Sequence, residues 1–446
     1  MARYLIQVDP VRTEQVKSNL GAIKIGVISQ VFDYLTVDVP PEVVSRIRAI
    51  SGVIDVRPET KVKSLGLLDT LNALKLNFPF LAQPTEPVEP IPIERKIPEF
   101  VRLFLSHPVT GPAEAFRYAA SDVVDRWPTG ESRKVVGADI AEAEGITGKG
   151  IKVAVIDTGV VFTTQGHYLD LESKSSVEGQ PIPWDENGHG TWCASCISGS
   201  PFRTPFGLLK GIAPDCKVLV VKCLGYGLGA GTESSVMRAL MDAYQWGADI
   251  ISASLGSGHS EEPPENIPEC RAIRMLTNAG VINVWANGND GPKPYTVGVP
   301  ANEPSALSVG AIDHNGEIAG FSSRGPTATG LVKPDCVAPG VNVTSSSTGL
   351  IAFMRMFRDF PGTATISGTS MATPHCVGVV ALALQYARSK GKRLTTDNIK
   401  EALELYGQPK NNDYGWGLIT YSKLKRYIDQ EPSYVITVPE ELPEET

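Results

Sequence analysis

Residues 151–159 read Ile-Lys-Val-Ala-Val-Ile-Asp-Thr-Gly, a short and almost continuously apolar run that ends in an acid and a glycine turn. The run lacks the polar alternation of a strand with one face in water, so it predicts a strand buried on both faces. Helical patterns such as residues 232–246 separate it from similar runs. These similar runs are residues 217–223, 250–254, 281–285 and 306–311. The alternation predicts an α/β fold with a doubly wound, mostly parallel sheet, whose functional sites lie at the carboxyl ends of the strands.

The composition is that of a globular protein with a weakly acidic surface. The chain has 446 residues, 42% hydrophobic residues and a formal net charge of −8. The charge argues against a nucleic acid as partner. No apolar run reaches the roughly 18 residues of a membrane span, which argues against a membrane partner. An acid, Asp9, precedes any signal-like stretch, so two locations stay open: the cytoplasm, or export with a signal that this sequence does not include.

Ahead of the α/β region, residues 1–65 alternate strand and helix patterns in the order β-α-β-β-α-β. This is the order of a small ferredoxin-like α+β domain. Six prolines fall within residues 79–98, and we interpret residues 66–132 as a Pro-rich linker with a helical segment. The α/β texture fills residues 133–425, and an acidic carboxyl-terminal tail of residues 426–446 follows.

Three segments supply an acid, a base and a nucleophile in that chain order. Asp157 ends the quoted strand, His189 lies between two glycines, and Ser370 opens an apolar helix. A serine hydroxyl needs an imidazole to take its proton, and a carboxylate holds that imidazole in one tautomer. A fourth segment ends another buried strand in Asn289, whose amide can donate to a developing oxyanion.

These segments resemble the motifs of the subtilisin-like serine peptidases, the subtilases. The resemblance covers about residues 133–425, and residues 1–65 resemble the inhibitory propeptide of the family. Further segments that resemble family motifs are residues 251–256, 286–291, 321–326, 333–340 and 414–418.

The resemblance implies a serine endopeptidase that acts on polypeptides and is made as a self-processing zymogen. In the reaction that the resemblance implies, Asp157 orients His189, which acts as general base and then as general acid. Ser370 forms the acyl-enzyme, and Asn289 shares the oxyanion hole with the backbone N–H of Ser370. The propeptide would be an intramolecular inhibitor, and we expect self-cleavage at one or more points between about residues 60 and 132.

The resemblance also implies where an extended peptide binds. One backbone edge consists of Ser254, Leu255 and Gly256. Residues 224–229, with Leu224 and Gly227, would supply the opposite edge. The wall of the pocket for the residue before the scissile bond consists of Trp285, Ala286, Asn287 and Gly288. In the family, the carboxyl-terminal strand of the propeptide runs through this cleft like a product.

Two stretches depart from the family pattern. Many subtilases have a calcium loop after the histidine helix, but the corresponding residues 199–210 contain no carboxylate. Calcium needs several oxygen ligands, so we expect no cofactor and no metal at that position. Residues 342–366, just before the serine, are longer than usual and are a candidate flap beside the cleft.

Other interpretations stay open from the sequence. The enzyme could be a dedicated intracellular processing protease that matures a few partner proteins. A catalytically silent subtilase fold would instead be a binding scaffold. The Cys193-Ala-Ser-Cys196 stretch mimics a redox motif, but an odd count of seven centrally placed cysteines favours buried free thiols. We interpret His375 as a packed core histidine in preference to a second base.

Overall fold

The computed structural model describes most of the chain. Residues 66–124 of the expected linker lie outside the described residues. The same is true of the expected tail from residue 431 onward. The described residues are 1–64, 125–161, 171–225, 227, 229–356 and 358–430.

The N-terminal domain is a four-stranded antiparallel sheet with two helices, in the expected β-α-β-β-α-β order. Its elements are β1 (Ala2–Val8), α1 (Thr13–Ala22), β2 (Val27–Val31), β3 (Tyr34–Val39), α2 (Val44–Arg48) and β4 (Val53–Pro58). The sheet order is β2-β3-β1-β4. Val16 and Leu20, one helical turn apart on α1, are buried in the core of this domain. A further strand, β5 (Lys61–Ser64), leaves the domain.

The larger domain contains the remaining strands and helices of the described residues. The strands are β6 (Trp127–Pro128), β7 (Lys152–Asp157), β8 (Leu171–Ser175), β9 (Phe202–Thr204), β10 (Gly207–Leu209), β11 (Lys217–Lys222), β12 (Leu224–Gly225), β13 (Ala230–Thr232), β14 (Ile250–Ala253), β15 (Leu255–Gly256), β16 (Ile282–Ala286), β17 (Leu307–Ile312), β18 (Cys336–Pro339), β19 (Val343–Ser346) and β20 (Thr363–Ile366). The helices are α3 (Thr129–Val135), α4 (Ala138–Ala143), α5 (His189–Ser198), α6 (Glu233–Trp246), α7 (Pro268–Asn278), α8 (Gly349–Arg355), α9 (Thr369–Ser389), α10 (Thr396–Tyr406) and α11 (Tyr421–Gln430).

Seven strands form a central parallel sheet in the order β18-β17-β16-β14-β7-β11-β8. Val153 and Val155 of β7 pack in the same core cluster as α5 and α9, on one face of the sheet. Ala154 and Ile156 pack with α6 and α7 on the other face. Because helices cover both faces of the sheet, the residues that point to either face are apolar. This explains why the strand sequences lack an alternation of polar and apolar residues. The α/β expectation is confirmed.

Elements that pack with the larger domain extend past both expected boundaries. Trp127 and Pro128 pair with β19, and α3 follows at once, so the domain begins before residue 133. At the other end, the boundary at residues 425/426 cuts through α11, whose Tyr427 and Ile428 are buried. Both differences have one cause: these segments join the fold through contacts with residues that are distant in sequence.

The two stretches that depart from the family pattern form hairpins. Within residues 199–210, β9 and β10 pair antiparallel. The candidate flap is the antiparallel pair of β19 and β20, with α8 at its tip. At the start of α8, the N–H of Leu350 donates to the carbonyl of Glu186 at 2.9 Å, in the loop that leads to α5. Among the described residues, no helix has both the length and the apolar character needed to cross a membrane.

Candidate active site

The central sheet and α5 bring an acid and an imidazole together. Asp157 is the last residue of β7, and His189 is the first residue of α5. The Oδ1 atom of Asp157 lies 2.8 Å from Nδ1 of His189, and both side chains are fully buried. Burial is the largest single effect and lowers the pKa of His189. The charge of Asp157, its hydrogen bond and the neighbouring Cys193 together outweigh burial and raise this pKa well above its ordinary value.

Ser370 lies beside this pair, at the second position of α9. The thiol of Cys193, one turn after His189, connects the two: its Sγ lies 3.8 Å from Nδ1 of His189 and 3.8 Å from the carbonyl oxygen of Ser370. On its other side, Ser370 exchanges two hydrogen bonds with Ser254, each 3.0 Å long. The start of a helix carries a partial positive charge, which favours a negative oxygen near Ser370.

Asn289 is held next to Ser370 by the preceding residue. Its Oδ1 accepts two hydrogen bonds of 2.9 Å, from the N–H and the hydroxyl of Thr369. Because the amide oxygen is fixed by Thr369, the orientation of the whole amide is fixed, including its NH2 group. The sequence interpretation missed Thr369, although its place directly before the serine was a usable signal.

At the expected peptide edge of Ser254, Leu255 and Gly256, the last two residues pair with a strand of the chain itself. In β15, Leu255 pairs with Ser64 and Gly256 pairs with Lys63, both in antiparallel register. Strand β5 thus continues the sheet at this edge, as an added strand does in peptide recognition.

The second edge differs from the expectation for residues 224–229. Strand β5 pairs with β13, where Ala230 lies opposite Lys63 and Thr232 lies opposite Lys61. Leu224 belongs to β12, which lies one strand further out, and the carbonyl of Gly227 accepts a 2.8 Å hydrogen bond from Asn187. The chain makes a hairpin after β12, so the returning strand and not the outgoing one faces β5.

The expected pocket wall lies at the end of β16. Trp285 is fully buried in the same apolar cluster as Leu255 and Val62 of β5. Ala286 is buried as well, and the amide of Asn287 donates to the carbonyl of Ser323 at 2.7 Å. Gly288 has a φ of 112°, a conformation that favours glycine.

The N-terminal domain docks on α6 and α7 as well as in the cleft. The carboxylate of Glu233, at the start of α6, accepts a 2.7 Å hydrogen bond from the N–H of Thr60. The neighbouring N–H of Ser234 donates to Glu59 at 3.0 Å. Arg271 of α7 pairs with Asp33 at 2.8 Å. An apolar cluster completes the contact; its buried members are Leu5, Val31, Tyr34 and Met237.

Among the described residues, one group of three side chains has ligand atoms close enough to hold a metal ion. It consists of Asp157, His189 and Cys193, whose atoms lie within 4.8 Å of one another. Burial raises the pKa of Cys193, which keeps it a thiol and a poor metal ligand. We therefore interpret the group as an acid–base pair with a neighbouring thiol. All seven cysteines are buried and free, as the sequence indicated.

His375 is hydrogen-bonded to a serine of another helix, α3. Its Nε2 lies 2.7 Å from Oγ of Ser132, and its Nδ1 lies 2.8 Å from the carbonyl oxygen of Met371. Burial lowers the pKa of His375 to about 4. The histidine is fully buried and neutral at ordinary pH, in agreement with its interpretation as a core residue.

Comparison with known proteins places this geometry in a family. Residues 148–417 match the model of the subtilase family. The chain belongs to the subtilase family. It is 33% identical over 311 residues to serine protease AprX of Bacillus subtilis (strain 168), an alignment that covers 63% of this chain and 67% of that relative. It is 36% identical over 294 residues to subtilisin Savinase of Lederbergia lenta, covering 66% of this chain and 96% of the relative.

Family membership confirms the expected fold and enzyme class. The subtilase match spans the parallel sheet and the helices that carry Asp157, His189 and Ser370. The chain is a serine-type endopeptidase, and its substrates are polypeptides.

Proposed function

We propose that this subtilase is made as a self-processing zymogen, in which Asp157, His189 and Ser370 form the catalytic triad. The single observation that carries the proposal is the position of β5, which enters the cleft in the register of a bound peptide and leads towards Ser370. The 2.8 Å contact between Asp157 and His189 supports the assignment of the acid and the base.

In the proposed reaction, His189 takes the proton of Ser370 as Oγ attacks the peptide carbonyl. Asp157 holds the Nδ1–H of the imidazole, so Nε2 is the basic atom and the imidazolium is stabilised when it forms. The oxyanion accepts hydrogen bonds from the amide of Asn289 and the backbone N–H of Ser370. His189 then gives the proton to the leaving amine, and water releases the acyl-enzyme by the same steps in reverse order.

The register of β5 supports an assignment of the bond that is cut first. Strands β5 and β15 run in opposite directions, with Lys63 opposite Gly256 and Ser64 opposite Leu255. Continued by one residue, this register reaches Ser254 on the second strand. Ser254 contacts Ser370 directly. On this register we assign the first cleavage to the bond between Leu65 and Gly66, two residues that lie outside the described part of the chain.

After cleavage, the same contacts would keep the N-terminal domain in place as an inhibitor. Strand β5 retains its backbone pairs, and the folded domain retains its contacts with α6 and α7. Before cleavage the inhibitor is tethered, which gives it a high effective concentration at the cleft. We therefore expect the uncut chain to be nearly inactive on added polypeptides.

Intact-mass spectrometry of the purified wild type beside Ser370→Ala tests the proposal. We expect a wild-type fragment that ends at Leu65 and an uncut Ser370→Ala chain. Cleavage at another bond would overturn the register assignment. A wild type that stays uncut, and that labels with no serine-directed fluorophosphonate, would favour a binding scaffold over a zymogen.

A matched pair of variants tests whether β5 is bound as a substrate. Val62 is 4% exposed in the apolar cluster with Trp285, whereas the side chain of Lys63 is exposed. Val62→Asp buries a charge, so we expect self-cleavage to slow by about tenfold or more. Lys63→Ala should leave the rate close to that of the wild type. Equal rates for the two variants would contradict the seating of β5 in the cleft.

A further inference from the structure

A second buried carboxylate stands behind the acid–base pair. Asp185, four residues before His189, is fully buried. Its Oδ1 accepts hydrogen bonds from the N–H of Asn187 at 3.2 Å and the N–H of Gly188 at 2.7 Å. Its Oδ2 accepts from the N–H of Thr191 at 2.8 Å and from the hydroxyl of the same residue at 2.6 Å. These bonds hold the loop before α5 and the first turn of α5, on both sides of His189.

The same carboxylate also holds the strand that carries Asp157. The hydroxyl of Thr158 donates to Oδ1 of Asp185 at 2.8 Å and accepts from the N–H of Gly190 at 2.9 Å. The N–H of Thr158 donates to Asp157 at 2.7 Å. Thr158 is thus bonded to both carboxylates, and Asp185 joins the end of β7 to the start of α5.

We propose that Asp185 is a positioning residue for the reaction, which fixes His189 relative to Asp157 through Thr158 and the first turn of α5. The inference rests on the proposed triad. Four residues supply five donor groups to Asp185, so the site requires an acceptor at both oxygens. A buried donor that loses its acceptor costs free energy, which makes the arrangement sensitive to the loss of one oxygen.

The charged groups around the network set the expected electrostatic effect. Lys222 is buried, and its ammonium group donates to the carbonyls of Thr158 and Trp184 and to the carboxylate of Glu186. Burial raises the pKa of Asp185, and the hydrogen bonds from Thr191, Gly188 and Thr158 act against that rise. These bonds favour the charged carboxylate, which in turn favours a positive His189. Removal of the Asp185 charge should therefore lower the pKa of His189 and move the acidic limb of kcat/KM to lower pH.

The test compares Asp185→Asn with Asp249→Asn in the self-processed protein, with a peptide substrate. Asp249 is a matched control because its carboxylate accepts from Lys152 at the opposite end of β7, at 2.9 Å. The amide of asparagine keeps one oxygen, so its NH2 group replaces the acceptor either of Thr158, at Oδ1, or of Thr191, at Oδ2. We expect kcat to fall by about 10-fold to 10²-fold, with KM nearly unchanged and the acidic limb at lower pH. Asp249→Asn should keep the wild-type kcat and acidic limb.

A second pair of variants, at Thr191, tests the inference if Asp185→Asn does not fold. Thr191→Val removes one donor to Asp185, and Thr191→Ser keeps it. We expect Thr191→Val to lower kcat and Thr191→Ser to rescue it. A wild-type kcat and pH profile in Asp185→Asn, or equal kcat values in the two Thr191 variants, would overturn the inference. Activity that persists in Ser370→Ala would instead overturn the proposed triad. A failure of the inference about Asp185 can therefore be distinguished from a failure of the proposed function.

Discussion

The two buried histidines His189 and His375 differ in one neighbouring group, and their imidazole pKa values shift in opposite directions. His189 and His375 are both fully buried, and each has a cysteine of α5 beside it, at 3.8 Å for Cys193 and 3.4 Å for Cys196. His189 faces the carboxylate of Asp157, which raises its pKa against the effect of burial. His375 faces the carbonyl oxygen of Met371, and burial lowers its pKa to about 4.

The difference teaches that proximity of a serine to a histidine does not make an active site. A general base must gain a proton during the reaction, and a buried imidazole can do so only if a negative charge compensates. The Asp157–His189 pair has that charge, and the cleft occupied by β5 leads to it. The Ser132–His375 pair joins α3 to α9 and stabilises their packing.

The largest expected effect comes from making His189 resemble His375. Asp157→Asn removes the charge and no longer selects the tautomer with hydrogen on Nδ1. We expect kcat to fall by about 10⁴-fold and the acidic limb of kcat/KM to move to lower pH. Steady-state kinetics between pH 5 and 9 measure both. A loss of less than tenfold would mean that Asp157 does not orient the base.

The next effect concerns the amide beside Ser370. Asn289→Leu removes a donor whose hydrogen bond strengthens only as the oxyanion forms. We expect kcat to fall by about 10²-fold to 10³-fold with KM nearly unchanged. Kinetics with a peptide substrate check this, and a defect mainly in KM would contradict the assignment of Asn289.

The smallest effect concerns the stability contributed by His375. Its pKa is about 4 in the fold and about 6.5 in the unfolded chain, so the unfolded chain binds the proton first as the pH falls. The favourable contribution is present above pH 6.5, and about 3 kcal/mol of it is lost as the pH falls towards 4. His375→Asn in a Ser370→Ala background should flatten this part of the pH dependence of the free energy of unfolding.

Urea denaturation at pH 7, 6, 5 and 4 measures that dependence without self-digestion. An unchanged slope in His375→Asn would show that other groups cause the loss. His189 has the opposite sign: its raised pKa contributes stability that is present at low pH and lost as the pH rises through the folded pKa. The two histidines should therefore act in opposite directions on the same curve.

The sequence predicted those parts of the site that local patterns determine. Asp157, His189 and Ser370 each occupy the end of a strand or the start of a helix, where buried apolar runs and glycines indicate a turn. The parallel sheet followed from runs without alternation. The order of the small N-terminal domain followed from its own short periodic segments.

The remaining features depend on contacts between segments that are distant in sequence. The second edge beside β5 depends on a hairpin whose returning strand, β13, faces the cleft. The start of the larger domain depends on the pairing of β6 with β19, more than two hundred residues later. Asp185 had a local signal, since an aspartate two residues before Asn-Gly favours an Asx turn. Its bond to Thr158 had none, because only the fold brings these residues together.

Fluorophosphonate labelling of the self-processed wild type, with the modified residue mapped by tandem mass spectrometry, tests the central claim most directly. The reagent adds to a serine that an adjacent base activates, so it reports whether Ser370 or Ser132 is the activated serine. The account predicts an adduct on Ser370, none on Ser132, and strongly reduced labelling in Asp157→Asn. An adduct on Ser132, or an active preparation in which Ser370 stays unmodified, would contradict it.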